Sequence, residues 1–206
     1  MWVVLEDIPQ AFPKERWYAD REQVTILFHL HFNSWNRKLN IKHPYEYHWN
    51  EIFMHTVESL LPEKITTIIP VLHEQVKPLF MPLCCLSGDP NPTNWAMREN
   101  GDLVLFDFEQ IGYGHPAIDL AITMPGFGSV DGSLEKEIAQ RYLSLWEKKG
   151  VDFPNTAAEL EKQIVLAKLW ISLDFLANHY KTLNENVIAY FIRGFSEKAE
   201  DFLRSI

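Results

Sequence analysis

Two short segments decide the fold of this 206-residue chain: Leu86–Trp95, with the sequence LSGDPNPTNW, and Leu105–Glu109, with the sequence LFDFE. They place a carboxylate at Asp89, an amide five residues later at Asn94, and a second carboxylate, Asp107, after an apolar run. Phosphoryl transfer needs such a set, because one carboxylate orients a hydroxyl and takes its proton while oxygen ligands hold Mg²⁺. By itself the spacing is a weak signal, since single loop aspartates are usually turn or cap residues.

Apolar runs beside these segments predict two short strands, Leu83–Leu86 and Leu103–Phe106, with a hairpin-type turn at residues 100–102 (NGD). Trp2–Leu5 is a further β-favouring run whose sheet partners are not evident. Most of the remaining chain has helical periodicity. The predicted helices are Asp20–Trp35, Tyr45–Leu61, Ile65–Phe80, Ser133–Lys149, Asn155–Tyr180 and Glu185–Arg204. We therefore predict a mainly α protein with a small β component.

The charge and composition argue against several classes of protein. Twenty-eight acidic and 19 basic residues give a formal charge of −9, which disfavours binding to nucleic acid or to an anionic membrane. The chain has neither a long apolar run nor the basic start of a signal peptide, so we expect a soluble, cytoplasmic protein. The cysteines are the neighbours Cys84 and Cys85, which are too close for a usual disulfide and indicate a reducing compartment.

From Leu83 to Phe127 the sequence resembles the aminoglycoside phosphotransferase and choline kinase family, small-molecule kinases with a protein-kinase-like fold. The family pattern of His-Gly-Asp, a Pro-rich loop, an Asn and Asp-Phe/Trp-Glu matches Ser87–Asp89, Asn94 and Asp107–Glu109. Gly112–Ala121, with the sequence GYGHPAIDLA, is similar to the family's segment after the metal aspartate. Ser87 departs from the pattern, because the family usually has a histidine there whose ring ties the catalytic loop to the metal-binding segment. We expect the shorter serine side chain to connect the two segments less firmly, so that the loop is somewhat looser.

The resemblance implies a role for each matched residue. Asp89 would be the catalytic base, Asn94 and Asp107 would hold Mg²⁺, and Ser87 and Asp119 would brace the catalytic loop. ATP, or another nucleoside triphosphate, would be bound by a hinge made of Leu5, Glu6, Asp7 and Ile8 and by an adenine floor made of Ala96 and Phe106.

The same resemblance implies that residues 1–206 are the C-terminal lobe of a protein-kinase-like α+β fold, with the N-terminal lobe absent. Residues 1–8 would be the hinge strand, 83–127 the catalytic and metal-binding loops, and 133–206 a helical subdomain on the substrate side. The family's phosphate-covering loop and its lysine should precede the hinge. We therefore expect this chain to pair with an N-terminal lobe, or to self-associate through its N-terminal strand, and to be inactive alone.

Glu109, Trp170 and Asp174 are candidate substrate residues, because an acidic group with aromatic walls suits a cationic amine. Trp170 and Asp174 lie one helical turn apart, although aromatic residues at helical spacing more often fill a core. We interpret Cys84 and Cys85 as buried strand residues and not as nucleophiles. The spacing of the eight histidines gives no zinc-site pattern.

The sequence thus predicts an ATP- and Mg²⁺-dependent phosphotransferase that acts on a hydroxyl of a small molecule, which is aminoglycoside-, choline- or sugar-like. The rival hypothesis is a catalytically idle module that keeps the pocket of such a lobe to bind a ligand or a partner.

Overall fold

The computed structural model describes residues 8, 10–17, 20–129 and 131–205. Its helices are α1 (Arg21–Ser34), α2 (Glu51–Glu58), α3 (Glu63–Thr66), α4 (Ile69–Val76), α5 (Ala117–Ile122), α6 (Ser133–Glu147), α7 (Ala157–His179) and α8 (Glu185–Ser205). Its strands are β1 (Gln10–Ala11), β2 (Cys84–Leu86), β3 (Trp95–Met97), β4 (Leu103–Leu105) and β5 (Gly112–Gly114). Helix predominates, as the sequence predicts. The predicted strand Trp2–Leu5 lies outside the described residues.

Two small antiparallel sheets place the two decisive loops side by side. In the first sheet the strand order is β1-β3-β4, and in the second β2 pairs with β5. The loop 87–94 joins β2 to β3, and the loop 106–111 joins β4 to β5. Leu86 pairs with Gly112, and Trp95 pairs with Leu105, so both loops begin and end at paired residues. The strand pairing therefore brings the segment of Asp89 next to the segment of Asp107.

Helix α7 is the centre of the helical body and contacts α2, α4, α5, α6 and α8. It begins with a capping box, in which Thr156 and Glu159 bond to each other's backbone amides. Buried residues occur on several of its faces, among them Leu160, Ile164 and Leu173, as expected of a helix that is surrounded by others. This core fixes α5, the short helix that lies next to the loops.

Two of the predicted helices are shorter than expected. Tyr45–Leu61 is helical only from Glu51, because Asn50 caps the helix there and Tyr45 instead bridges to Gly112. Ile65–Phe80 is divided into α3, α4 and a 3₁₀ turn, Lys77–Phe80. Pro70 and Pro78 each stand at the start of a new segment, where the missing amide proton costs no helical hydrogen bond.

No helix within the described residues combines the length and the apolarity that crossing a bilayer requires.

Candidate active site

The loop after β2 turns sharply at Gly88. This residue has a φ of 94°, a left-handed conformation that side chains rarely adopt. A Cβ atom here would lie 2.2 Å from the backbone carbonyl oxygen of Gln110. Glycine is therefore required, and the turn packs the chain before Asp89 against the neighbouring loop.

A buried carboxylate on α5 holds this turn. The Oδ2 atom of Asp119 accepts hydrogen bonds from the Ser87 amide at 2.8 Å and the Ser87 hydroxyl at 3.0 Å, and its Oδ1 accepts one from the Gly88 amide at 3.0 Å. Asp119 is 0% exposed, and hydrogen bonds to a buried carboxylate are stronger than those between neutral groups. The two residues that precede Asp89 are thus fixed from the interior of the protein.

His31 is a further member of this network that the sequence analysis missed. Its Nε2 lies 3.1 Å from Asp119 Oδ2, and its Nδ1 lies 3.1 Å from the hydroxyl of Tyr142 on α6. The histidine is fully buried and links α1 and α6 to the loop brace. Its sequence position was informative, because it follows Val24 and Phe28 on the apolar face of α1, where a histidine needs a polar partner.

Two amide side chains orient Asp89, which is half-buried. Its Oδ2 accepts hydrogen bonds from Asn91 Nδ2 and Asn94 Nδ2, both at 2.9 Å, and Asn94 Nδ2 also bonds the Asp89 carbonyl at 2.8 Å. Among the described residues, no donor bonds Asp89 Oδ1. One carboxylate oxygen is therefore held in place while the other remains available to a hydroxyl group.

Asp107 follows β4 and is solvent-exposed, with a left-handed φ of 63°. The amide of Phe106 bonds the carbonyl of Asn94 at 3.1 Å, which brings the backbones before Asp107 and at Asn94 together. Within the described part of the chain, neither the Asp107 carboxylate nor the Asn94 side-chain oxygen accepts a hydrogen bond. These are two hard oxygen donors of the kind that Mg²⁺ prefers.

The predicted nucleotide residues lie partly on the β1-β3-β4 sheet. Ala96 on β3 pairs with Ala11 on one side and Val104 on the other, and strand alternation puts Phe106 on the same face as Val104. Ala96 is nearly buried, whereas Phe106 is 41% exposed and presents an open ring. Ile8 lies just before β1 and is half-buried, and residues 5–7 of the predicted hinge lie outside the described residues.

A cavity of about 960 Å³ opens beside Asp89. Acidic and aromatic side chains make up much of its wall, together with the loop 124–127 and one face of α7. The acidic and aromatic members are Asp89, Glu109, Asp174, Tyr45, Phe127, Phe175, Tyr190 and Phe191. Two of the predicted substrate residues, Glu109 and Asp174, thus lie in one cavity with the predicted base.

Asp174 and Tyr45 both line this cavity and interact electrostatically. Burial raises the pKa of Asp174, although His48, Asn178 and His179 partly oppose the shift. Burial also raises the pKa of Tyr45, and the negative charge of Asp174 raises it further. A cation bound near this wall would favour the ionised form of Asp174 and so oppose the effect of burial.

Trp170, the third predicted substrate residue, does not line the cavity. It is 4% exposed and packs against Phe80 and Tyr47, with ring centroids 5.0 and 6.3 Å away. The helical spacing of Trp170 on α7 is therefore explained by packing in the core. Cys84 and Cys85 are also buried, and burial raises the pKa of both thiols, to about 11 for Cys85, which disfavours a nucleophilic thiolate.

Paired loops on two small sheets, set against a helical body, define a protein-kinase-like fold of the small-molecule kinase type. The model of the phosphotransferase enzyme family (APH) matches residues 14–152, so the chain belongs to this family. No curated protein matches the sequence.

Several solved structures share the fold. The structure of LicA in complex with AMP has a TM-score of 0.60 and 16% identity, and the match covers 96% of this chain and 68% of LicA. Choline kinase LicA from Streptococcus pneumoniae has a TM-score of 0.58 and 16% identity, and the match covers 98% of this chain and 69% of that one. An ethanolamine kinase from Plasmodium vivax has a TM-score of 0.57 and 14% identity, and the match covers 97% of this chain and 63% of that one. At such identities the likeness concerns the fold alone.

Proposed function

We propose that this chain carries the catalytic and acceptor-binding residues of an ATP- and Mg²⁺-dependent kinase that phosphorylates a hydroxyl of a small cationic amine. The observation that supports this best is the position of Asp89. It follows a turn held by Asp119, it has one available carboxylate oxygen, and it lines the cavity that contains Asp174 and Tyr45. An acceptor in this cavity would therefore present its hydroxyl to a positioned base.

Asp89 acts as the general base in this proposal. The amides of Asn91 and Asn94 hold Oδ2, so that Oδ1 accepts the hydrogen bond of the acceptor hydroxyl and takes its proton as the phosphoryl group is transferred. A positioned base of this kind contributes about 10² to 10⁴-fold in rate. Asp119 and His31 act through the backbone of the loop and do not touch the reacting atoms.

Asn94 and Asp107 are the proposed metal ligands. Both present oxygen atoms without a hydrogen-bond donor among the described residues, and the contact between Phe106 and Asn94 keeps the two positions adjacent. An amide and a carboxylate suffice for Mg²⁺, which keeps several water ligands and also binds phosphates. Mg²⁺ held by Asn94 and Asp107 would supply positive charge that offsets the negative charge developing on the transferred phosphoryl group.

The nucleotide base would lie on the face that carries Ala96 and Phe106, and the hinge at Leu5–Ile8 remains a prediction. A structural neighbour was determined with AMP, which agrees with nucleotide use in this fold. We further propose that the chain is a C-terminal lobe, which gains its phosphate-covering loop and lysine from an N-terminal lobe or a second polypeptide. Without that clamp the phosphates are held from one side, so the 206-residue chain alone should show negligible turnover.

The acceptor is proposed to be a cationic amino alcohol because of the acidic and aromatic wall. Asp174 would pair with the ammonium group, while Tyr45, Phe175 and Phe191 would offer ring faces to it. A choline kinase and an ethanolamine kinase are among the structures with this fold, and both names refer to cationic amino alcohols.

Calorimetric titration of the purified chain with choline and with ethanolamine tests the acceptor class. Asp174→Asn should weaken the binding of both about tenfold or more, because a charged hydrogen-bonding partner contributes roughly 1.5–3 kcal/mol. The matched control is Asp152→Asn, which removes the same charge at an exposed residue outside the cavity and should leave the affinities unchanged. Equal affinities in wild type and Asp174→Asn, or no binding of either amine, would contradict the proposal.

A further inference from the structure

A buried lysine lines the same cavity as Asp89. Lys168 lies on α7, is 5% exposed and is one of the cavity-lining residues. Its Nζ donates a hydrogen bond to the carbonyl of Met124 at 2.7 Å. An ammonium group has three donors, and no second acceptor bonds this one among the described residues. A positive charge with unused donors is thus built into a cavity whose other charged walls are acidic.

The surroundings do not provide Lys168 with its own counterion. Glu135 is the acidic group that raises the pKa of Lys168, but this fully buried carboxylate forms an ion pair with Lys198 and accepts a hydrogen bond from Ser129 Oγ at 2.8 Å. When both lysines are charged, this group of two lysines and one glutamate carries one positive charge in excess. Burial, together with the positive charge of Lys198, lowers the pKa of Lys168 to about 7, although Glu135 opposes the shift. A buried charge without a partner is costly, so an incoming monoanion would be favoured.

We propose that Lys168 binds a carboxylate of the acceptor, which makes the acceptor a zwitterion with a hydroxyl, an ammonium and a carboxylate group. This rests on the proposed function, because it assigns the hydroxyl to Asp89 and the ammonium to the Asp174 wall. Lys168 and Asp174 are six residues apart on α7, about 9 Å along the helix axis, and both side chains line the same cavity, so one ligand in that cavity can contact both. A carboxylate fits better than a phosphate dianion, since the excess positive charge is one and the remaining wall is acidic.

A purely structural role for Lys168 makes a different prediction. Met124 lies just beyond the end of α5, and a lysine that bonds such a carbonyl caps the helix. Capping uses one of the three donors, and its loss would lower stability without changing which ligands the cavity prefers. Ligand preference therefore separates the two roles.

The test compares two pairs of amines that differ by a carboxylate: L-carnitine against choline, and L-serine against ethanolamine. Calorimetry on the 206-residue chain at pH 7 should show the carboxylated member of at least one pair binding about 10- to 100-fold tighter, as expected for a charged hydrogen bond. In Lys168→Met this ratio should fall to about one, and in Lys168→Arg it should be partly kept. Lys136→Met, at an exposed lysine of α6, is the control and should keep the wild-type ratio.

Proton uptake gives a second readout that needs only the wild-type chain, in case Lys168→Met does not fold. Because a bound carboxylate favours the charged lysine, binding of the carboxylated amine at pH 7 to 8 should take up protons, measured as a dependence of the heat on buffer ionisation enthalpy. The cavity has other ionisable groups, which are equally close to either amine of a pair and so do not distinguish the two. These groups are Asp89, Glu109, Asp174, His179 and Tyr45.

Three results would overturn the inference. If the amines bind with equal affinity with and without the carboxylate, the inference is wrong and the proposed function stands. If a preference for the carboxylate persists in Lys168→Met, another group binds it and Lys168 has only its structural role. If none of the four amines binds, the proposed acceptor class is wrong, and this inference is wrong with it.

Discussion

Replacing Asp119 by Asn should destabilise the whole chain and release the catalytic loop. The carboxylate accepts four hydrogen bonds from the loop and from His31, whereas an amide of the same shape keeps one oxygen and turns two donors toward its neighbours. If the amide nitrogen replaces Oδ1, the Gly88 amide loses its charged acceptor, about 1.5–3 kcal/mol, and stays buried without a partner, about 1–3 kcal/mol. The expected loss is about 2.5–6 kcal/mol, a large share of a typical folding stability of about 5–15 kcal/mol.

Urea unfolding followed by far-ultraviolet circular dichroism measures this loss, with Asp152→Asn as the exposed control that should change stability by about 0.5 kcal/mol or less. Amide chemical shifts of Gly88 and Asp89 should move in Asp119→Asn and stay in place in the control. A loss below about 1 kcal/mol, or unchanged Gly88 and Asp89 amides, would refute the argument that Asp119 braces the loop.

Three further predictions concern His31, His115 and Asp89. His31→Ala should lower the free energy of unfolding in urea titrations by about 2–4 kcal/mol, because it removes the partner of the buried Tyr142 hydroxyl and one contact of Asp119. His31→Gln should recover part of this loss, and equal losses in both variants would contradict the prediction. Burial lowers the pKa of His115 to about 4, so the unfolded chain binds more protons than the folded chain between pH 4 and 6.5, and the free energy of unfolding should rise by about 3 kcal/mol as the pH increases across this window. His115→Gln should lose this part of the slope in urea titrations at pH 4.5 and 7, and an unchanged slope would be inconsistent with a neutral buried imidazole. In a preparation of this protein that shows kinase activity, Asp89→Asn should reduce turnover about 10²-fold or more with nearly constant nucleotide affinity, and equal turnover in wild type and variant would remove Asp89 from its role.

Local signals carried much of the fold. Asp20 is the first residue of the predicted helix Asp20–Trp35, and its side chain caps α1 by accepting hydrogen bonds from the amides of Glu22 and Gln23. The long periodic helices α6, α7 and α8 lie within a few residues of their predicted bounds. The sequence analysis missed β1, β3 and β5, because none of them has a four-residue apolar run like those that marked β2 and β4, and the pairing of β3 with β4 depends on tertiary structure.

The sequence predicted the candidate site less well wherever the residues in contact are far apart along the chain. The segment of Asp119 was recognisable beside the loops, but its contact with His31 joins residues 88 positions apart. Lys168 is likewise one of several lysines in a helical pattern, and only the fold shows that it is buried at the cavity. Trp170 and Asp174 share a sequence pattern but differ in the structure, since one lies in the core and the other in the cavity wall.

The central claim is that the loops of Asn94 and Asp107 form the metal–nucleotide site of a phosphotransferase, and paramagnetic relaxation by Mn²⁺ with ATP tests it most directly. Mn²⁺ serves as the probe for the Mg²⁺ site, and broadening of nearby amides detects even weak binding. We predict broadening centred on the amides of Trp95 and Phe106, its loss in Asp107→Ala, and no change in the control Asp102→Ala in the exposed turn. Broadening that is absent from these amides, or that persists in Asp107→Ala, would contradict the account.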